Sequence, residues 1–225
     1  MSNRVDFDKY TSDYNLLLQE GTGFFSKNDA YFARYKVELM KARLAQPAKR
    51  ILEYGCGIGR NLPFIREAFP NAEIIGTDIS RASLAIARRD QPDIEFIMEG
   101  DETEELSQFD LIFVAGVYHH VPLAGRTHVS SSLYGRLNSF GNLFVFEHNP
   151  YNPVTRRIVS NCPYDDDAVL LQPKELIEYL RKAGFPTLHS EYCLFFPPSF
   201  TRLAWLEPHL GWLPLGGQYF VHGLK

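Results

Sequence analysis

The sequence predicts an α/β fold built on a doubly wound, mostly parallel sheet of seven strands. Three observations lead to this prediction. Short apolar runs alternate with segments of helical periodicity. The run 111–115 is apolar throughout, as in a strand that is buried on both faces. A turn with three glycines, 55–59, follows the first predicted strand and precedes a helical pattern, an arrangement typical of nucleotide-binding sheets.

The elements follow in order along the chain, which we expect to form one domain. We predict strands at 50–54, 73–77, 94–98, 110–115, 143–146, 188–195 and 218–224, and helices at 30–44, 59–69, 80–90, 127–137 and 174–183. Residues 1–48 precede the sheet and are expected to supply a helical lid. Residues 49–150 form the predicted cofactor-binding core. Residues 151–225 comprise an insertion, a helix and the last two strands, with a loop predicted at 149–153 from its prolines.

Composition limits the classes of function. The 225 residues are 45% hydrophobic, enough for a substantial core, and the net charge is -4. No run of Lys or Arg exceeds two residues, which disfavours binding to nucleic acid. We expect no membrane-spanning segment and no secretory signal. Three widely spaced cysteines are typical of reduced thiols, so we expect a cytoplasmic protein.

The glycine spacing selects among nucleotide ligands. The run from Glu53 to Gly59 reads E-x-G-x-G-x-G, whereas a dinucleotide-binding turn would place its third glycine at position 60, which is Arg60. Asp78 ends the next predicted strand, about 20 residues on, where a carboxylate can accept hydrogen bonds from ribose hydroxyls. Ser80 is available to cap the following helix, which leaves Asp78 for the ligand.

These motifs resemble those of class I S-adenosylmethionine-dependent methyltransferases of the small-molecule type. The resemblance covers residues 45–150 well and the remainder loosely. It implies S-adenosylmethionine as the cofactor and an antiparallel strand 7 inserted between strands 5 and 6. The expected cofactor contacts are Glu53, Gly55, Gly57, Gly59, Asp78, Ile79, Asp101, Glu102 and His120.

Polar side chains after predicted strands 4 and 5 are the candidates for chemistry. Histidine suits proton transfer near neutral pH. The candidate bases are His119, then His148, then Glu147, and the resemblance places His120 toward the cofactor and His119 toward the substrate. We expect no metal. An alternative is a divalent ion held by His119 with Glu147 or Asn149; the acidic run 165–167 is a second conceivable cation site, or a solvated turn that pairs with arginines.

The expected reaction is methyl transfer to a hydroxyl oxygen of a small-molecule acceptor: a sugar, a glycan precursor or a secondary metabolite. The predicted substrate contacts are Tyr10, Tyr14, Tyr118, Asn149 and Arg156. Methylation of nitrogen or carbon is an alternative, as is a non-catalytic subunit that binds the cofactor. The aromatic stretch 195–219 suits a substrate roof, a dimer face or peripheral membrane contact. The sequence leaves open the acceptor's identity and the choice between monomer and homodimer.

Overall fold

A computed structural model describes residues 5, 7–10, 22–23, 25–26, 28, 30–101 and 106–225. The helices are α1 (Tyr31–Lys41), α2 (Leu62–Ala68), α3 (Arg81–Asp90), α4 (Leu123–Arg136), α5 (Pro153–Ser160) and α6 (Pro173–Ala183). The strands are β1 (Arg50–Tyr54), β2 (Glu73–Asp78), β3 (Glu95–Met98), β4 (Phe109–Ala115), β5 (Leu137–His148), β6 (Thr187–Cys193) and β7 (Gln218–Leu224). Short 3-10 helices lie at Phe7–Tyr10, Tyr118–His120, Pro163–Asp165 and Thr201–His209.

All seven strands form one sheet in the order β3-β2-β1-β4-β5-β7-β6. The pairs from β3 to β5 are parallel, and β7 runs antiparallel between β5 and β6. The predicted doubly wound sheet with an inserted antiparallel strand 7 is therefore confirmed. The strand order reverses between β1 and β4, and the carboxyl ends of these two strands open the crevice in which such sheets bind ligands.

Apolar side chains fill both faces of the sheet. Met40, Ile65 and Leu84 bring α1, α2 and α3 against one face. Leu133 and Leu176 bring α4 and α6 against the other. Since helices cover both faces, β4 is buried through Val114, as its uninterrupted apolar sequence predicts.

The structure adds a helix to the predicted insertion and differs from prediction at the start of β5. Within the insertion, residues 153–160 form helix α5. Pro153 occupies the first turn, where its missing N–H costs nothing, and the Asn152 side chain accepts hydrogen bonds from the N–H groups of Val154 and Thr155. Strand β5 begins at Leu137 instead of 143, because its polar first half still pairs with β4 across a register shift.

Helix ends differ from prediction by a few residues. Helix α1 ends at Lys41, and α2 starts at Leu62 because the glycine turn continues to that point. The Ser80 side chain accepts from Ser83 N at 3.0 Å and so caps α3, as predicted. The N-terminal lid remains a prediction. Within the described ranges, no helix has both the length and the apolar character needed to cross a membrane.

Candidate active site

The glycine turn that follows β1 allows close backbone approach at the crevice. Gly55, Gly57 and Gly59 all have positive φ, at 70°, 54° and 81°. A Cβ on Gly55 would lie 2.4 Å from Val117 Cγ2, so neither the backbone conformation nor the space permits a side chain there. At Gly55 the turn therefore brings main chain close to the space above it.

Asp78 at the end of β2 fixes this turn. Its Oδ2 accepts from Gly57 N at 2.7 Å and its Oδ1 accepts from Ser80 N at 2.8 Å. Burial raises the pKa of Asp78, although the backbone donors oppose that shift. Each carboxylate oxygen retains a further lone pair, so Asp78 can accept hydrogen bonds from a ligand while it orders the glycine turn.

We call the space above this turn the glycine cavity; it measures about 210 Å³. Its wall includes Gly55, Gly57, Asp78, Ile79, Gly116 and His120. Phe7 and Tyr164 also line it, and their rings lie 5.1 Å apart. Apolar and aromatic side chains combined with a carboxylate and exposed main chain suit a ligand with a flat base and a hydroxylated sugar.

A second space, the aromatic cavity, adjoins the first and measures about 400 Å³. Aromatic side chains contributed from three parts of the chain form much of its wall: Phe25, Phe32, Phe146 and Phe195. Arg60, Asn61, Ala115 and Gly116 line both cavities. A ligand in one cavity and a ligand in the other would meet at this shared wall.

Two cationic side chains enter the aromatic cavity. Lys36 of α1 and Arg60 of the glycine turn both line it. Burial lowers the pKa of Lys36 to about 8, so it stays largely protonated at neutral pH. Pro197 and Leu215 complete part of the wall, so the predicted aromatic C-terminal stretch does contribute to a cavity.

His148, at the end of β5, also lines the aromatic cavity. Burial lowers the pKa of His148 to about 4, and the neighbouring His119 charge adds to this effect. The imidazole of His148 is therefore neutral at physiological pH, with one ring nitrogen unprotonated, although the lowered pKa makes it a weak base. Its ring centroid lies 5.0 Å from that of His119.

His119, the base predicted first, lies behind the walls of both cavities. It is 2% exposed, and its Nδ1 lies 2.6 Å from Glu147 Oε2. Burial would lower the pKa of His119, but the charges of Glu147 and Asp165 outweigh it and raise the pKa to about 10. The geometry therefore favours His148 over His119 as a group that meets a ligand.

The Glu147 side chain is also buried, and its carboxylate binds groups of the protein itself. Its Oε1 accepts from Val117 N at 3.0 Å and from Tyr118 N at 2.7 Å. Burial would raise the pKa of Glu147, but the His119 charge and hydrogen bond lower it below its usual value. Glu147 thus holds the residues after β4 in place rather than facing a cavity.

His120 lies between the glycine cavity and the acidic run. Its Nδ1 is 2.8 Å from Asp167 Oδ1, and its Nε2 is 3.4 Å from Asp165 Oδ1. These carboxylates pair with the two histidines, whereas the sequence suggested arginine partners or a solvated turn. Tyr164, in the 3-10 helix Pro163–Asp165, packs against the His120 ring with centroids 5.6 Å apart.

Glu53 lies beneath the shared wall. It is 1% exposed, and Asn61 Nδ2 donates to its Oε1 at 2.6 Å. Within the described residues, its buried Oε2 has no hydrogen-bond partner. Burial raises the pKa of Glu53 to about 8. Because Asn61 lines both cavities, Glu53 orients the wall rather than forming it.

The Glu53→Gln protein should become more stable than wild type as pH rises. The folded-state pKa near 8 exceeds the unfolded value of 4.5, so between these values only the unfolded state releases the proton. Wild-type stability therefore falls from about pH 4.5 to about pH 8, and glutamine removes this loss. Thermal unfolding without added ligand should show a variant-minus-wild-type Tm difference that grows across this range. A difference that stays constant with pH would show that Glu53 is ionised in the fold.

Three predicted substrate contacts lie elsewhere in the structure. Tyr118 is fully buried, with its hydroxyl 2.9 Å from Ser130 Oγ. Asn149 is also buried, and its amide donates to the carbonyls of Pro214 and Gly216. Arg156 is exposed on α5 and lines a separate open hollow of about 500 Å³. All three side chains follow strand ends in sequence. The Tyr118 side chain is buried in the core, however, and the Asn149 amide is hydrogen-bonded to a neighbouring loop.

The acidic residue that lines the cavity after β3 is not the predicted one. Strand β3 ends at Met98, and Gly100 turns the chain at a φ of 101°. Asp101 is exposed, whereas Glu99 lines the glycine cavity and is held by Arg136 at 2.6 Å. Tyr14, Glu102 and the side chain of Tyr10 lie outside the described residues.

The sequence reasoning missed Lys36, Asn61 and Tyr164. Lys36 lies on helix α1, whose sequence predicts a helix that packs against the core, and the residues around Lys36 do not indicate a cavity. Asn61 directly follows the glycine turn, and that adjacency was an available signal. Tyr164 comes from a segment far along the chain, which only the fold brings to the glycine cavity.

Comparisons with known proteins agree with this architecture. Residues 52–143 match a family model described as a methyltransferase domain. The chain is 38% identical over 74 residues to a trans-aconitate 2-methyltransferase of Acidovorax sp. (strain JS42), covering 32% of this chain and 28% of that protein. Two further relatives are also trans-aconitate 2-methyltransferases, and this chain spans only 25% to 40% of the length of the three proteins.

Solved structures match over nearly the whole chain. A SAM-dependent methyltransferase from Archaeoglobus fulgidus gives a TM-score of 0.70 at 17% identity and covers 95% of this chain and 100% of that one. A protein from Thermotoga maritima, described as a SAM-dependent methyltransferase and possible histamine N-methyltransferase, gives 0.69 at 21% identity and covers 97% and 98%. At these identities the likeness establishes the fold.

Proposed function

Because this chain belongs to the class I S-adenosylmethionine-dependent methyltransferases, we propose that it methylates a carboxylate oxygen of a small organic acid. The observation that carries the proposal is the pair of cations, Lys36 and Arg60, in the wall of the aromatic cavity. The proposed acceptor atom is thus a carboxylate oxygen, in place of the hydroxyl oxygen expected from the sequence.

The glycine cavity suits the cofactor. Its backbone turn admits no Cβ at Gly55, and Asp78 offers carboxylate lone pairs to ribose hydroxyls. Ile79, which is 43% exposed, offers an apolar surface for the base. When bound, S-adenosylmethionine supplies an electrophilic methyl group on a sulfonium, and transfer leaves S-adenosylhomocysteine. The protein's own contribution is to hold the two ligands in line across the shared wall.

The aromatic cavity suits an acid with an apolar body. Lys36 and Arg60 neutralise and orient a carboxylate, and a charge-assisted hydrogen bond of this kind contributes about 1.5–3 kcal/mol. Phe32 and Phe146 provide apolar contact for the rest of the molecule. A carboxylate is already ionised at neutral pH, so the reaction needs no base. The matched relative is named for methyl transfer to trans-aconitate, the anion of an organic acid, which is consistent with this class.

A labelled-methyl assay tests the proposal. The panel pairs monocarboxylic acids with apolar bodies, and di- and tricarboxylic acids, with their amides, and adds sugars and phenols as hydroxyl acceptors. We expect turnover with acids and at most trace turnover with the matched amides. The product should release its label as methanol in mild alkali, because methyl esters hydrolyse there and methyl ethers do not. An alkali-stable product would contradict the carboxylate acceptor.

A hydroxyl oxygen is the second candidate, and His148 is the observation that favours it. The imidazole lies in the wall of the aromatic cavity, where it can take the proton that a hydroxyl must lose. If the acceptor is a hydroxyl, His148→Gln should lower kcat by about 100-fold or more, the usual scale of general-base catalysis.

S-adenosylhomocysteine affinity, measured by calorimetry on the His148→Gln protein, should stay near the wild-type value in that case. His189→Gln is the matched control, because His189 is exposed on β6 and pairs with Glu191 away from both cavities. Equal kcat in His148→Gln and wild type with a hydroxyl acceptor would remove His148 from the role of base.

A further inference from the structure

Two imidazoles and three carboxylates converge beside the glycine cavity. We propose that His119, His120 and Asp165 bind a divalent transition-metal ion, with zinc as the best fit. This inference concerns the fold of the site and does not depend on which acceptor is methylated. The three potential ligand atoms, one from each residue, all lie within 4.8 Å of one another.

The ligand spacing fits a shared ion better than direct contact. Asp165 Oδ1 is 3.6 Å from His119 Nε2 and 3.4 Å from His120 Nε2. A good N–H···O hydrogen bond is 2.7–3.2 Å long, so both separations exceed it. Ligands bound at about 2.1 Å in tetrahedral geometry are separated by about 3.4 Å. The two separations from Asp165 therefore match those of ligand atoms around a common centre, and the remaining pair of ligand atoms lies within 4.8 Å.

Both imidazoles are oriented as metal ligands usually are. Glu147 Oε2 holds His119 Nδ1 at 2.6 Å, and Asp167 Oδ1 holds His120 Nδ1 at 2.8 Å. A carboxylate on Nδ1 sets the tautomer and turns the Nε2 lone pair toward the ion. Val5 N donates to the other oxygen of Asp167 at 3.0 Å, so this orienting carboxylate is itself held.

The Nε2 atom of His120 supplies an independent argument. The side chain is 10% exposed, and among the described residues this buried nitrogen has no hydrogen-bond partner. A buried nitrogen that makes no hydrogen bond is costly; its ion pair with Asp165 at 3.4 Å does not supply one, whereas an ion at the shared centre would bind its lone pair. The charge balance agrees, since the three carboxylates of Glu147, Asp165 and Asp167, each at most 12% exposed, lie against His119 and His120.

The donor set indicates the kind of ion. Two imidazole nitrogens and a carboxylate suit zinc and its transition-metal neighbours, whereas magnesium and calcium prefer oxygen ligands alone. Binding would join the residues after β4 to the segment 162–168. That segment carries Tyr164 into the glycine cavity, so the ion would fix part of the cavity's wall.

Zinc titration of chelator-treated protein without an affinity tag tests the proposal. We expect one equivalent of Zn²⁺ per chain and a higher Tm, because an ion that binds only the folded state stabilises it. Asp165→Asn and His120→Gln should each weaken zinc binding by at least thirtyfold. Asp166→Asn is the matched control, since the exposed Asp166 lies outside the cluster, and it should bind within about twofold of wild type.

Cobalt substitution provides a readout that general destabilisation of a variant cannot imitate. Co²⁺ in wild type should give visible absorption without the strong thiolate band of a cysteine site, and Asp165→Asn should lose that absorption while circular dichroism shows it folded. The proposal is overturned if wild type binds no zinc at 100-fold molar excess. It is equally overturned if Asp165→Asn and Asp166→Asn bind zinc alike, or if a thiolate band appears.

Discussion

Asp78→Ala is expected to raise the dissociation constant for S-adenosylhomocysteine at least tenfold. A tenfold loss corresponds to about 1.4 kcal/mol, close to the lower end of what one charge-assisted hydrogen bond contributes. Two effects add in this variant. The carboxylate that would accept from the ribose hydroxyls disappears, and Gly57 N loses the acceptor that holds the glycine turn. Isothermal titration calorimetry measures the change directly.

Two further variants separate these effects. Asp78→Asn keeps the size of the side chain and one acceptor oxygen, so its affinity should fall between those of wild type and Asp78→Ala. Asp93→Ala removes an exposed acid outside the glycine-cavity wall and should leave affinity within about twofold of wild type. Equal affinities in wild type and Asp78→Ala would remove Asp78 from the cofactor site.

Arg60→Gln is expected to raise KM for a carboxylate acceptor by about 10- to 100-fold. The reason is the loss of a cation from the wall that the two cavities share, and charge-assisted hydrogen bonds of about 1.5–3 kcal/mol set the scale. Initial-rate measurements with saturating cofactor give KM, and calorimetry with S-adenosylhomocysteine gives cofactor affinity. We expect cofactor affinity to change by no more than about threefold, since the sugar and base contacts remain.

The matched control for Arg60→Gln is Arg89→Gln. Arg89 lies on the surface of α3, where it pairs with Asp90. This variant should leave both KM and cofactor affinity close to wild type. An unchanged KM in Arg60→Gln, or an equal rise for acids and for their neutral amides, would contradict electrostatic recognition of the acceptor and favour an uncharged acceptor group.

The cofactor half of the site follows closely from local sequence. The glycines of 55–59 and Asp78 lie at the ends of adjacent parallel strands, and the carboxyl ends of such strands share one edge of the sheet. Their order along the chain therefore predicts their proximity. Asp101 shows the limit of this argument, because one glycine turn after β3 places Glu99 rather than Asp101 in the wall.

The acceptor half could not be predicted in the same way. Its wall combines α1, the end of β5, helix α5, the segment after β6 and the residues just before β7, which are far apart in sequence. Tyr118 and Asn149 fit the sequence pattern for site residues as well as His148 does. Only the packing shows that the Tyr118 side chain is buried in the core and that the Asn149 amide donates to backbone carbonyls. His148, by contrast, lines a cavity.

The resemblance to a known family implied the inserted antiparallel β7. The sequence by itself determined the strands of the sheet and the edge at which the glycine turn and Asp78 meet. These depend on patterns of apolar residues, glycine and strand-end acids that act over a few residues. The tertiary structure alone decided that Lys36 faces a cavity, that His119 lies behind one, and that Asp165 meets two histidines about 45 residues earlier in the chain. Such contacts depend on which distant segments pack together, and no short stretch of sequence predicts that packing.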